Sequence, residues 1–206
     1  MNEPTSVMET RLTHDFHRRA TSALVDAARD PGVPLDAVAV LRGFLVAQLH
    51  HHHESEDDRL WPALAAADEQ IAAGLAALSE EHDQLDAALD RLAAVPARED
   101  ADRATLAEAA QAVRDLVHRH LEHEEPLLFP ALRDHMTAAD WDAFSRHVIA
   151  TSPMDAAHLL IGFFDVVGDP REVELVLANL PGPAREAVPF LREQAAADLR
   201  VLRVRD

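Results

Sequence analysis

The chain has 206 residues with no cysteine and no tyrosine, which excludes disulfides, thiolate metal sites, cysteine nucleophiles and tyrosyl chemistry. A formal net charge of −18 repels nucleic acid and anionic membrane surfaces. Six glycines and a 48% hydrophobic content rich in alanine and leucine favour an all-α fold with ample core material.

Every basic residue is arginine, and the only groupings are Arg18-Arg19 and the tail residues Arg200, Arg203 and Arg205, too few for a basic surface. Met1 to Arg11 lacks a basic-then-apolar signal pattern, and no stretch reaches the roughly 18 apolar residues of a membrane span. The expectation is a cytoplasmic protein with no nucleic-acid and no membrane partner.

In chain order, the first predicted helix covers about 10–28 and stops at the turn-rich Arg29-Asp-Pro-Gly-Val-Pro34. The second covers 35–67 without interruption. The third covers 69–94, closed by Val95-Pro96-Ala97, and the fourth covers 102–135. Four helices on short links predict an up-down-up-down four-helix bundle. Residues 137–206 form a helical C-terminal extension. Thr137-Ala-Ala-Asp140 caps a helix to about Ala150, and a second starts at Pro153 or Asp155 and ends near Gly168-Asp169-Pro170. A third covers 171–180. The last follows Pro181-Gly182-Pro183 to about Arg203, with Pro189 distorting its start. The extension is expected to pack on the bundle or to mediate self-association or a protein contact.

The bundle carries an internal repeat at an offset of 68 residues. His14, His52 and Glu56 recur as His82, His120 and Glu124. The same offset relates Asp15 to Asp83, His50 to His118, Asp57 to Glu125, Leu60 to Leu128, Trp61 to Phe129 and Pro62 to Pro130.

Helical periodicity places the repeated residues inside. Leu41, Leu45, Leu49, His52, Glu56 and Leu60 form one stripe, and Val113, Val117, His120, Glu124 and Leu128 form another. His82 lies in the stripe of Leu75, Leu78, Leu85 and Leu89. Buried carboxylates need a compensating charge, and no lysine or arginine lies on these stripes. A bound cation answers the need. Imidazole and carboxylate without sulfur suit Fe, Mn, Zn or Cu better than Mg or Ca.

His50/Glu54 and His118/Glu122 share the spacing but lie on polar stripes, which assigns them to solvent or to an outer layer. His51 and His53 have no histidine counterparts at the offset. His123 reads as an outer partner, and His135, His147 and His158 as surface or packing residues. On the first helix the repeat favours His14, with His17 one turn on as its competitor.

These residues resemble the hemerythrin-like (HHE cation-binding) domain family. The resemblance is carried by Thr13-His-Asp-Phe-His-Arg-Arg19, Glu81-His-Asp-Gln-Leu85, the stretch from His50 to Pro62 and the stretch from His120 to Pro130. It covers about residues 8–136. The extension is similar to those of actinobacterial members. The resemblance implies two Fe ions in a non-haem, oxo- or hydroxo-bridged di-iron centre. His14, His52, His82 and His120 would be terminal ligands, and Glu56 and Glu124 bridges, with Glu125 as the alternative fourth-helix carboxylate. Oxygen-carrying members have His-x-x-x-His on the third helix, where this chain has Leu78 and Asp86 around His82. The expected function is therefore binding of, or reaction with, a small oxidant ligand (oxygen, peroxide or nitric oxide), as in oxidative stress. The alternatives are a non-enzymatic oxygen, iron or redox sensor or iron-binding protein, and a structural Zn site. Glu125 and His123 are the candidates for handling protons.

Overall fold

Helix α1, Thr5–Arg29, begins five residues before the expected Thr10, and the earlier start buries Val7 and Met8 on the core face. The computed structural model describes residues 3–204, which contain helices and turns and no strand. After the break at Asp30, Pro34 leads extended backbone into α2, Leu35–Ser55.

The expected second helix of 35–67 is not uniform. α2 passes at Glu56 into a π-helical turn, Glu56–Leu60, and then into α3, Trp61–Ala65. The Trp61 N–H reaches the carbonyl of Glu56, five residues back. Pro62 explains the local weakness, because it has no N–H and its ring crowds the preceding turn. A π turn admits one extra residue and rotates the helix beyond it, so that Leu60, Trp61 and Leu64 all end up buried.

Helix α4, Glu69–Ala94, is capped by Asp68, whose carboxylate accepts from the Gln70 and Ile71 N–H groups at 2.6 and 3.3 Å. A 3₁₀ turn, Asp100–Asp102, with a Glu99/Asp102 capping box leads into α5, Arg103–His135. α1 packs on α2 and α5, and α4 packs on the same two helices. The neighbours close into a four-helix ring.

The extension contains α6, Ala138–Thr151; α7, His158–Val167; α8, Pro170–Ala178; and α9, Gly182–Val201. Thr137 caps α6 as expected, its hydroxyl accepting from the Asp140 N–H at 3.2 Å. α7 begins later than Asp155, after a turn in which Ala156 has φ 54°. Pro189 does not distort the start of α9, which runs helically through it. Pro189 is the eighth residue of α9, so its missing N–H forgoes one intrahelical bond, and burial of Val188, Ala195 and Leu199 on one face offsets that loss.

α7 seats the extension on the bundle. Phe163 is fully buried with its ring centroid 5.8 Å from that of Phe16 on α1. On its other side Gly162 faces α9, where a Cβ would lie 2.7 Å from the Ala195 Cβ, so only glycine permits this approach. Bundle and extension side chains share one large apolar cluster, including Leu24, Leu45, Leu89, Phe163 and Leu199. A second cluster of Leu60, Trp61, Leu64, Leu75, Leu128 and Trp141 fills the other end of the bundle. No described helix is long and apolar enough to cross a membrane.

Phe163→Ala is expected to lower unfolding free energy by about 3–5 kcal/mol, measured by denaturant titration. Ellipticity and tryptophan fluorescence should report one coincident transition. Two separated transitions would show that the extension folds apart from the bundle.

Candidate metal centre

Between the two apolar clusters the stripes of α1, α2, α4 and α5 switch from aliphatic residues to imidazoles and carboxylates. His14, Glu56, His82, His120 and Glu124 are at most 2% exposed. One ligand atom each of His14, His52, Glu56 and Glu124 lie within 4.8 Å of one another, close enough to hold a metal ion. His82 and His120 complete the belt, their Nε2 atoms 3.1 Å apart.

The repeat becomes a spatial pseudo-two-fold. Along the helices, His52 Nε2 lies 3.4 Å from Glu56 Oε2, and His120 Nε2 lies 3.3 Å from Glu124 Oε2. Across the halves, His82 Nε2 lies 3.6 Å from Glu56 Oε2, and His14 Nε2 lies 3.7 Å from Glu124 Oε2. Trp61 stacks on His82 at 5.9 Å between centroids, and its counterpart Phe129 stacks on His14 at 6.0 Å. Each carboxylate thus sits between two imidazoles from different helices. The His14 and His52 Nε2 atoms, Glu56 Oε2 and both Glu124 oxygens are buried without a hydrogen-bond partner. Such orphans are costly unless something binds them, and nitrogen and oxygen donors without sulfur fit a transition-metal cation.

The model of the Hemerythrin HHE cation binding domain matches residues 9–138, more than half of the chain. The chain belongs to the hemerythrin HHE family. Comparison with curated proteins and with solved structures returns no match. The family implies a metal-binding site, and the buried His/Glu cluster is the candidate for it.

An outer layer of the hemerythrin domain fixes the imidazoles. His82 Nδ1 meets Asp57 at 2.8 Å, and Asp57 also accepts from the Ser79 hydroxyl at 2.6 Å. The pseudo-two-fold mate of that contact is His14 Nδ1 to Glu125 at 3.1 Å, with Arg18 2.7 Å from the same oxygen. His120 Nδ1 meets Glu81 at 3.0 Å. A carboxylate at Nδ1 holds the proton there and leaves the Nε2 lone pair turned inward. Geometry therefore separates Glu124, inside the cluster, from Glu125, behind His14. His123 bonds to Glu81 at 2.8 Å, one step behind His120.

Protonation follows burial and proximity. Burial, then the Glu124 charge, pushes the Glu56 carboxyl well above the usual carboxylate range. Burial acts on Glu124 in the same direction, but His14 and His120 outweigh it and hold the group below that range. Burial and neighbouring imidazoles push His17 and His52 well below the ordinary histidine value, and His82 to about 4. These three rings are neutral near pH 7, the form that binds a metal. Glu125 resists burial through His14 and Arg18 and falls to about 2.

Several residues of the belt break the pseudo-two-fold, His17, His53 and Glu81 among them. His17 and His53 stand where the other half has Leu85 and Leu121, and Glu81 stands where it has Thr13. His17 does not join the four-residue cluster but packs on His52, with centroids 4.6 Å apart. His53 is buried, stacked on His82 at 4.4 Å and bonded to Asp86 at 2.7 Å. Sequence reasoning gave His53 no role, because it lies beside the main stripe, although its isolation from the repeat was a signal. His50 faces outward to Asp86 and Asp90 as expected. His118 is half-buried with an unpartnered Nε2. His158 is a packing residue bonded to Asp198 at 2.7 Å.

Removing metal with a chelator is expected to lower stability by about 2.7 kcal/mol when free metal had stood at one hundred times its dissociation constant. Glu56→Leu should raise the stability of the metal-free protein by about 1–3 kcal/mol while abolishing metal binding, since it removes one of two crowded buried carboxylates. Denaturant midpoints of the metal-free and metal-loaded forms check both signs. Asp57→Ala should weaken metal affinity about 10–100-fold, read by competition with a chromophoric chelator.

Proposed function

We propose that the chain is a non-haem di-iron protein that acts in the cytoplasm and binds or reacts with a small oxidant: dioxygen, peroxide or nitric oxide. The observation that carries this reading is the paired arrangement of orphaned carboxylates, Glu56 between His52 and His82, and Glu124 between His14 and His120. Two positions of like geometry, each with two imidazoles and access to shared carboxylates, suit two ions rather than one.

In this reading His14, His52, His82 and His120 are terminal ligands, and Glu56 and Glu124 bridge. Bound iron would supply redox capacity and open coordination positions for the oxidant. The protein's own residues keep those positions available. Leu78 and Asp86 stand one turn either side of His82, and Asp86 is engaged with His53, so α4 offers a single imidazole to the cluster. Asp57, Glu81 and Glu125 hold protons at the Nδ1 atoms of His82, His120 and His14. Glu81, shared by buried His120 and half-exposed His123, links the inner layer to solvent. This makes His123 and Glu81 the route for proton exchange with the inner imidazole.

Protein purified without chelator is expected to contain close to two iron atoms per chain. Glu56→Ala and Glu124→Ala should each reduce that content by at least half and abolish peroxide consumption. Zinc in place of iron, or consumption persisting in either variant, would overturn the assignment. A reversible absorbance change on oxygenation without turnover would place the protein among sensors rather than catalysts.

A further inference from the structure

Between the bundle and the extension lies a cavity of about 350 Å³, within the roughly 300–1,000 Å³ typical of small-molecule sites. Thr13, His17, His52 and Glu56 form part of its wall on the bundle side. The remainder is largely hydrocarbon, with Phe144, Val148, Leu160, Phe164 and Leu180 contributed by the extension. The cavity reaches only one half of the metal centre. His82, His120 and Glu124 do not line it.

Broken symmetry shapes this opening. In the other half Glu81 binds the Nδ1 of His120. The position equivalent to Glu81 is Thr13, which lines the cavity. The position equivalent to Leu85 is His17, which also lines it, is 2% exposed and has an Nδ1 without a partner. His52 Nε2 and Glu56 Oε2 are unpartnered too but belong to the His/Glu cluster, so His17 supplies the unpartnered polar atom outside that cluster. An apolar wall with few polar atoms is the pattern of a site that orients an apolar molecule.

The wall also selects by charge. Among the residues lining the cavity there is no arginine, so no side chain of fixed positive charge faces an anionic ligand. Its two carboxylates are already engaged. Glu9 accepts from Trp141 Nε1 at 2.8 Å and from Asn179 Nδ2 at 3.0 Å, and Glu56 belongs to the His/Glu cluster. A cation would have to displace those contacts.

We propose that this cavity binds an uncharged, largely apolar organic molecule, with a single hydrogen-bonding atom at His17, on the His52/Glu56 side of the metal centre. The extension is then the part of the chain that builds the ligand's apolar wall.

The test is a fluorescence titration of the purified full chain with N-phenyl-1-naphthylamine, whose hydrocarbon is neutral and whose one N–H can donate to His17. Saturable binding of one dye per chain is expected, at least tenfold tighter than binding of the sulfonated analogue 1-anilinonaphthalene-8-sulfonate. Val148→Phe and Ala184→Phe, which fill the cavity from α6 and α9, should each weaken binding at least tenfold with helical ellipticity unchanged. 1-Benzylnaphthalene, which replaces the N–H by CH₂, should compete about fivefold less well, a hydrogen bond's typical contribution. That difference should vanish in His17→Leu, which installs the residue of the other half. No saturable binding, equal binding of the sulfonate, undiminished binding in both filled variants, or a preference that survives in His17→Leu overturns the proposal. Iron analysis of the same samples reads the di-iron assignment separately. Dye binding without iron sinks that assignment alone, and iron without dye binding sinks the cavity proposal alone.

Discussion

Two carboxylates, Glu56 and Glu124, face one another's imidazole partners in the middle of a helical core, and neither reaches water. Low-dielectric surroundings make such a pair untenable as two bare anions. The remaining structure answers that constraint. Imidazoles contact each carboxylate from both sides, and Asp57, Glu81 and Glu125 fix three of those rings from behind. The polar belt divides the bundle interior into two apolar clusters, so the aliphatic packing on either side bears the task of holding four helices in register.

The extension changes what the bundle alone would be. Its α7 helix supplies Phe163 to the apolar cluster beneath the belt, while α6 and α9 stand off far enough to leave space beside His52. The two faces of the belt consequently differ. His53 stacks on His82 and Glu81 binds His120 on one side, and Thr13 and His17 leave the His52 side lined by a cavity. A pseudo-symmetric set of imidazoles and carboxylates thus sits in an asymmetric setting, with shape and polarity differing between its halves.

Much of this was legible from residue spacing. His52 and Glu56 lie one helical turn apart and continue a leucine stripe, and the same holds for His120 and Glu124. Burial of Glu56, His120 and Glu124 therefore followed from helical periodicity, whereas His52 keeps 14% of its side chain exposed. Seeing Glu124 inside the cluster and Glu125 behind His14 required coordinates, because adjacent residues on a helix differ by only about 100° in direction. The π turn at Glu56–Leu60 was hidden, since Pro62 signals a weakened turn without saying how the backbone responds. His17 and His53 were obscure for another reason. Their burial comes from packing against His52 and His82 on other helices, which no periodicity within one helix reports. The cavity is likewise a product of how α6 to α9 settle on α1 and α2.

The cross-half contacts have a consequence for how the two halves depend on each other. Glu56 takes its second imidazole from α4, and Glu124 takes its second from α1. A helical hairpin carrying one His-to-Glu set is therefore incomplete, but two identical hairpins related by a dyad would supply every contact to each other. The chain has the form of such a homodimer joined end to end through the short link between α3 and α4. Joining frees each half to vary on its own, which identical subunits cannot do. Thr13, His17 and His53, set against Glu81, Leu85 and Leu121, are positions where the two halves differ.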